Sequence, residues 1–323
     1  MKFNTFVITV YVALSYSHLF CQSKIDERTF FSTSLDTIRN VNVYLPDAYE
    51  QENIEKKYPV IYFLHGGGGN HDSYKAIVSI LDSLISNNIL EPVILVKPDG
   101  SCKPYLGSQY MNSELYGRFE DYIVFDLVDY IDNNYHTYSS RTKRFIMGHS
   151  MGGEGSMRIA LKYPDRYTGV ASHSGVLSIE FIHFLVDAVL KENEPYSSIE
   201  PSSGYMSQAL FTASGGYSPN KNNPPFYVDL PIDKNGDIVE SVWQRWKLND
   251  PLNLASKYDP SYDLKIFFDC GTRDPILKVT SLFAGKLSDL GIPFIFHAYE
   301  GTHSNKLSER FCISLTFFNS LIH

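Results

Sequence analysis

The chain has 323 residues, with 28 Lys and Arg against 36 Asp and Glu, for a formal net charge of −8. Its 43% hydrophobic and 20% charged content is that of an ordinary globular protein, long enough for one large domain or two small ones. The acidic balance and the lack of a basic stripe exclude nucleic acid as an expected partner.

The chain opens with Met1-Lys2, an apolar run over Phe6–Leu14, then Ser15–Gln22. This is the pattern of a secretory signal peptide over residues 1–23, with cleavage after Cys21 or Ser23. The run is too short to span a bilayer, and no other stretch reaches about 18 apolar residues, so no stable membrane span is expected. Export is the preferred reading. A lipoprotein anchor at Cys21 is the weaker one, because His18-Leu19-Phe20 lacks the small residues that such processing prefers. Removal of Cys21 leaves Cys102, Cys270 and Cys312, an odd set that describes neither a disulfide scaffold nor a zinc site. A Cys270–Cys312 pair would leave Cys102 free.

From residue 24 onward strands and helices alternate. Thr29–Ser34 and Val41–Leu45 read as an antiparallel pair. Val60–Leu64 reads as a buried strand that runs into His65-Gly66-Gly67-Gly68-Gly69-Asn70. A helix near Tyr74–Ser86 and a strand over Pro92–Val96 follow. Phe119, Ile123, Leu127, Tyr130 and Ile131 share one face of a further helix.

Lys143–Met147 is then a short buried strand, and Glu154–Tyr163 a helix stopped by Pro164. Between them lies Gly148-His149-Ser150-Met151-Gly152-Gly153. Gly-x-Ser-x-Gly between a strand and a helix is a nucleophile elbow. It holds a serine on a strained turn at a helix N-terminus, where the helix dipole favours developing negative charge. Flanking side chains would collide with the neighbouring strand, so glycines stand there. The competing reading makes Ser150 an ordinary helix N-cap and predicts no partners elsewhere.

Partners are present. The glycines after His65 let the backbone aim an N–H at a substrate carbonyl, from Gly67 in preference to Gly66, beside the Met151 N–H. A phosphate-binding loop is excluded, since no Gly-Lys-Ser/Thr follows. His65 itself reads as a loop-fixing residue, with His65, Gly66 and His149 as candidates for the pocket wall. His149 and His173 flank strand ends near the site without standing where a base would.

Gly169–His173 is the next strand. Ser178–Ser256 interrupts the alternation. This insertion is rich in Pro, Gly, Tyr and Asn in its second half and holds both tryptophans, Trp243 and Trp246, which either line a pocket or form the insertion's small core. Within it, Asp233-Lys-Asn-Gly-Asp237 reads as a turn, its glycine being too early for a calcium loop. Leu264–Phe268 and Phe294–Tyr299 are strands, and a terminal helix covers about Asn305–Leu321. Asp274 falls on the turn Gly271–Pro275, where a carboxylate can orient a base; Asp269, inside the strand, reads as structural. Of ten histidines, only His303, on Glu300-Gly301-Thr302-His303-Ser304, combines the right order with a turn after a strand. The order Ser150, Asp274, His303 is that of the α/β-hydrolase triad. Alternation of this kind implies an α/β fold, a mostly parallel sheet with helices on both faces, and ligands beyond the strand carboxyl ends.

With these motifs, and with Phe119-Glu-Asp-Tyr, Tyr163-Pro-Asp-Arg-Tyr167, Ser172-His-Ser-Gly175 and Asp250-Pro-Leu, the chain from about Thr29 onward resembles the esterase D family of α/β-hydrolases. That family includes feruloyl and acetylxylan esterases and S-formylglutathione hydrolases. The resemblance implies Ser150 as nucleophile, Asp274 as acid and His303 as base, acting on an ester without metal or organic cofactor. Thr302 departs from the glycine that many relatives carry before the histidine. The expectation is an exported serine esterase acting on a small-molecule or acylated carbohydrate substrate. An acyltransferase or thioesterase with the same triad, and a non-catalytic binding module on the same fold, are the alternatives.

Overall fold

The computed structural model describes residues 23–194 and 198–323; the expected signal segment and Cys21 lie almost wholly outside them. Eight strands form one sheet: β1 (Lys24–Ser32), β2 (Thr37–Leu45), β3 (Val60–Leu64), β4 (Ile94–Pro98), β5 (Arg144–His149), β6 (Gly169–His173), β7 (Lys265–Gly271) and β8 (Phe294–Tyr299). Their spatial order is β1-β2-β4-β3-β5-β6-β7-β8. Strand β2 runs antiparallel to both neighbours, and all pairings from β4 to β8 are parallel. The fold is thus the mostly parallel, helix-covered sheet of α/β-hydrolases.

Strand chemistry follows from position. Central β3, Val-Ile-Tyr-Phe-Leu, is buried throughout, as expected of a strand covered on both faces. Val60, Tyr62 and Leu64 join one core, and Ile61 and Phe63 the other. The second core is closed by α1 (Ala76–Ser86) through Ile77 and Leu81, and by the C-terminal helix through Phe311, Leu315 and Phe318. The first is closed by α2 (Met151–Lys162), which begins directly after Ser150 and carries Met157, Ile159 and Leu161 into it. Phe119, Ile123, Leu127 and Ile131 also join it, from a helical run that the sequence reads as uniform. Its middle, Tyr122–Leu127, is instead a π segment.

The expected insertion is helical: α3 (Ile182–Glu192), α4 (Tyr205–Tyr217), α5 (Glu240–Lys247) and the short α6 (Pro251–Ala255). It has its own core, in which Leu185, Leu210, Phe211, Trp243 and Trp246 meet. Asp250 caps α6 by accepting from Leu252 N–H at 3.2 Å and also accepts from Ile179 N–H at 3.3 Å, fastening the insertion at its base. Asp233 accepts from the N–H groups of Asn235 and Asp237, the expected turn. The last two helices are α7 (Leu277–Asp289) and α8 (Leu307–Asn319). Cys102, Cys270 and Cys312 are all free thiols, so the pair that the sequence allowed is not formed.

Asp269 is the structural carboxylate that its place in β7 implies. Fully buried, it accepts from Arg310 Nε at 2.8 Å and faces His173 Nδ1 at 3.0 Å. Burial opposes its ionisation, but the His173 and Arg310 contacts outweigh this and hold its carboxyl below the ordinary value. Removing one partner of a buried pair strands the other charge. Arg310→Met is therefore expected to lower unfolding free energy by about 3 kcal/mol, read as a reduced urea midpoint with an unchanged denaturant slope.

Candidate active site

The turn from β5 into α2 is set by steric exclusion. A Cβ on Gly148 would lie 2.3 Å from the Gly152 carbonyl oxygen, and one on Gly152 would lie 2.0 Å from the Leu64 carbonyl oxygen. Glycine alone permits this approach to β3. Ser150 then occupies φ 57°, ψ −119°, a region that L side chains rarely adopt. Its N–H donates to His173 O at 2.9 Å, which ties the strained turn to β6.

Asp274 and His303 come from the turns after β7 and β8. His303 Nδ1 lies 2.8 Å from Asp274 Oδ2, and Nε2 lies 3.0 Å from Ser150 Oγ. The carboxylate fixes the proton on Nδ1, leaving Nε2 to accept from the serine hydroxyl. Burial works against ionisation of Asp274, yet the His303 contact and the Ile276 N–H hold its carboxyl below the ordinary value. Among the described residues, nothing accepts from the Met151 or Gly67 N–H, while the Gly66 N–H points to the Tyr74 hydroxyl at 3.3 Å. This favours Gly67 over Gly66 as a donor to a ligand. Such a chain of groups can activate a hydroxyl and hold an oxyanion beside it.

A cavity of about 370 Å³ opens beside Ser150, with Gly67, Met151, Asp274 and His303 at its wall. The insertion supplies its roof, including Phe181, Leu185, Tyr205, Met206, Tyr217 and Trp246. Of the residues expected at the wall, Trp246 is there. His65, Gly66, His149 and Trp243 are not. Trp243 is buried in the insertion's core against His183. His65 donates from Nδ1 to Gly66 O and accepts the Gly100 N–H at 2.9 Å, so it fixes the glycine loop from behind. His173 also stays behind the sheet, between Asp269 and Ser314.

His149 has a different place. Its Nε2 lies 2.9 Å from the His303 carbonyl oxygen, which can only accept, so Nε2 carries the proton. Nδ1 then accepts from Tyr74 Oη at 2.7 Å, and Tyr74 in turn accepts the Gly66 N–H. One relay thus joins the glycine loop, the elbow and the His303 loop. Tyr74 carries no sequence signal for this; it is an aromatic at a helix start until the fold brings it there. Glu154, in the first turn of α2, is likewise an unremarked polar residue in the sequence and a buried one at the cavity wall.

Burial depresses the ordinary histidine value to about 4 for His65 and, with a lesser contribution from the neighbouring His303 imidazole, to about 4 for His149. Between pH about 6.5 and 4 the unfolded chain binds protons at these sites that the folded chain does not. Stability therefore rises with pH through that window and falls on acidification. Denaturant unfolding at a series of pH values should show that slope, and His65→Asn should make it shallower.

Residues 32–306 match the family model described as "Putative esterase". Two esterases of Mycobacterium tuberculosis are each 27% identical over 266 residues, 81% of this chain and 52% of theirs. An endo-1,4-beta-xylanase/feruloyl esterase of Xylanibacter ruminicola is 32% identical over 150 residues, 44% of this chain and 20% of its own. The chain thus spans about half the length of the first curated relatives and less of the next. Among solved structures, a ferulic acid esterase aligns with a TM-score of 0.68 at 22% identity, covering 93% of this chain and 99% of its own. An S-formylglutathione hydrolase of Staphylococcus aureus aligns at 0.63 and 18%, covering 92% and 98%. At such identities these structures speak to the fold, whereas the family model covers most of the sequence, and the chain belongs to the "Putative esterase" family.

Proposed function

We propose that the chain is an exported serine carboxylic-ester hydrolase that uses Ser150, His303 and Asp274. The observation that carries this reading is the continuous contact from Asp274 Oδ2 through His303 to Ser150 Oγ, at the mouth of a cavity with two free N–H groups. Ser150 Oγ adds to the ester carbonyl carbon as its proton passes to His303 Nε2. The Met151 and Gly67 N–H groups hold the resulting oxyanion. Collapse breaks the ester C–O bond, and the alcohol leaves with the proton from His303. Water, deprotonated by the same imidazole, then adds to the acyl-serine, and the acid leaves as Ser150 Oγ takes that proton back from His303. Asp274 keeps Nδ1 protonated and stabilises the imidazolium.

The substrate reading is feruloyl or acetyl esters of carbohydrate, or small esters. It is supported by the apolar cavity and by relatives named as feruloyl esterases. The likeness to an S-formylglutathione hydrolase supports the thioesterase alternative on fold alone; an exported chain would not meet that cytosolic thiol conjugate.

Purified protein and its Ser150→Ala variant, compared on aryl acetates, methyl ferulate and acetylated xylan, test the reading. Serine replacement is expected to lower kcat on the order of 10⁶-fold, and Asp274→Asn about 10⁴-fold through the wrong imidazole tautomer. Turnover that survives Ser150→Ala, or no turnover on any ester, would refute it. Tyr74→Phe should lower kcat roughly tenfold with KM little changed, because it loosens the relay that seats both loops without touching the cavity.

A further inference from the structure

Two buried hydroxyls behind the Ser150–His303–Asp274 contact make no direct hydrogen bond: Ser174 Oγ and Tyr299 Oη. A buried hydroxyl left unpaired forfeits its hydration, so such groups mark places where a bond belongs. Both come from strand ends beside the Asp274 turn. Ser174 follows β6, and its N–H donates to Asp269 O at 2.9 Å, which sets it against β7 next to Cys270. Tyr299 pairs with Gly271 across β8 and β7, and Gly271 O accepts the Asp274 N–H at 3.0 Å.

The backbone of Ser174 gives a second indication. It is fully buried at φ 46°, in the left-handed region that favours glycine. Glycine would take this conformation at less cost, yet a hydroxymethyl group stands there. A side chain kept at such a position is held by what it bonds.

The neighbours select the bond. The Ser174 hydroxyl favours loss of the proton from the Asp274 carboxyl, the Cys270 thiol and the Tyr299 hydroxyl, which places it among all three. Burial first, and nearby negative charge second, push the thiol and the phenol up to about 12 each, so both stay protonated. Asp274 is therefore the acceptor. Its side chain is shielded from solvent, Oδ2 takes His303 Nδ1 and Oδ1 takes the Ile276 N–H at 3.2 Å. Each carboxylate oxygen can accept twice, so both have room for a further donor.

We infer that Ser174 is a positioning residue whose hydroxyl donates to Asp274 and accepts from Tyr299 Oη, carrying the Ser150–His303–Asp274 line back to β8. The inference rests on the reading of those three residues as the reacting groups. It adds a donor that neither touches the ester nor lines the cavity. Such a donor draws off carboxylate charge that otherwise faces the imidazole. Without it the imidazolium is better stabilised, and His303 holds its proton to higher pH.

The other charges around the pair are compensated. His149, its ring centroid 4.9 Å from that of His303, is neutral above pH about 4. Glu154 across the cavity pairs with Arg158, and Arg273 pairs with Glu300 at the surface at 3.1 Å. Asp269 is held between Arg310 and His173. Replacing Ser174 alters none of these, so a shift at His303 reads the hydroxyl.

Three variants of the full chain test this: Ser174→Ala, Ser174→Gly and Tyr299→Phe, the last keeping its ring against Arg310. For each, kcat/KM on an aryl acetate is followed against pH, and the His303 ring is titrated by NMR without substrate. Both serine variants should move the acid limb and the ring midpoint upward by about half a unit. Plateau kcat should fall roughly tenfold with KM little changed. Ser174→Gly, relieved of the positive-φ strain, should lose no more thermal stability than Ser174→Ala. A shift shared by both is thereby separated from loosening of the fold. Tyr299→Phe should shift the midpoints in the same direction by less, and it decides the matter if the serine variants do not fold. Midpoints that stay in place or move downward overturn the inference, whatever happens to stability. Parent protein that turns over no ester refutes the esterase reading, and the ring titration still decides whether Ser174 acts on Asp274.

Discussion

Everything at this site depends on how closely the elbow backbone presses on β3. Gly152 lies where any Cβ would sit 2.0 Å from the Leu64 carbonyl oxygen, and Gly148 is enclosed between that carbonyl and Gly152. The contact leaves Ser150 in a positive-φ conformation and starts α2 at the next residue. It thereby exposes a hydroxyl and the Met151 N–H in one motion of the chain. The strain is local and of the order of 1–3 kcal/mol. It is held by the parallel pairing of β5 between β3 and β6, and by the Ser150 N–H bond to His173 O.

Around that fixed point the protein uses buried polar groups as braces. His65, Tyr74 and His149 join the glycine loop, the elbow and the His303 loop through directed hydrogen bonds. Burial keeps both histidines neutral over most of the accessible pH range, and only a neutral imidazole can donate at one nitrogen and accept at the other. Asp269, Arg310 and His173 play the corresponding part behind the sheet, where β7 meets α8. The loops that carry Asp274 and His303 are therefore anchored on both sides of the sheet, and their side chains meet Ser150 in direct hydrogen-bond contact.

The insertion is a layer of a different kind. Its helices pack on a separate apolar core, so its shape can vary without disturbing the sheet. What it brings to the cavity is mostly apolar surface, with Tyr217 and Trp246 as the ordered aromatic pair. The hydrogen-bonded Ser150, His303 and Asp274 thus stand at the strand ends, and the insertion roofs the cavity beside them.

Much of this was legible in the linear chain because it rests on local physics. Alternation of buried runs with helical spacing announces a parallel sheet, glycines at fixed offsets announce a tight turn, and the chain order of Ser150, Asp274 and His303 matches the strand ends on which they fall. Strand limits were less legible: β7 runs to Gly271 and β5 to His149, because neighbouring strands extend the ladder beyond the apolar residues. The π segment at Tyr122–Leu127 gave no signal, since the buried face is the same for either helix. The pocket wall was the least legible. His65, Gly66, His149 and Trp243 seemed placed to line it, and each is turned away by a hydrogen bond or by packing that only the folded chain supplies. Sequence determined the fold class and the chain order of Ser150, Asp274 and His303, which depend on residue type and spacing. Tertiary structure alone decided that Tyr74 braces the site and that Glu154 faces the cavity, because both depend on which groups, dozens of residues apart in the chain, the fold brings into contact.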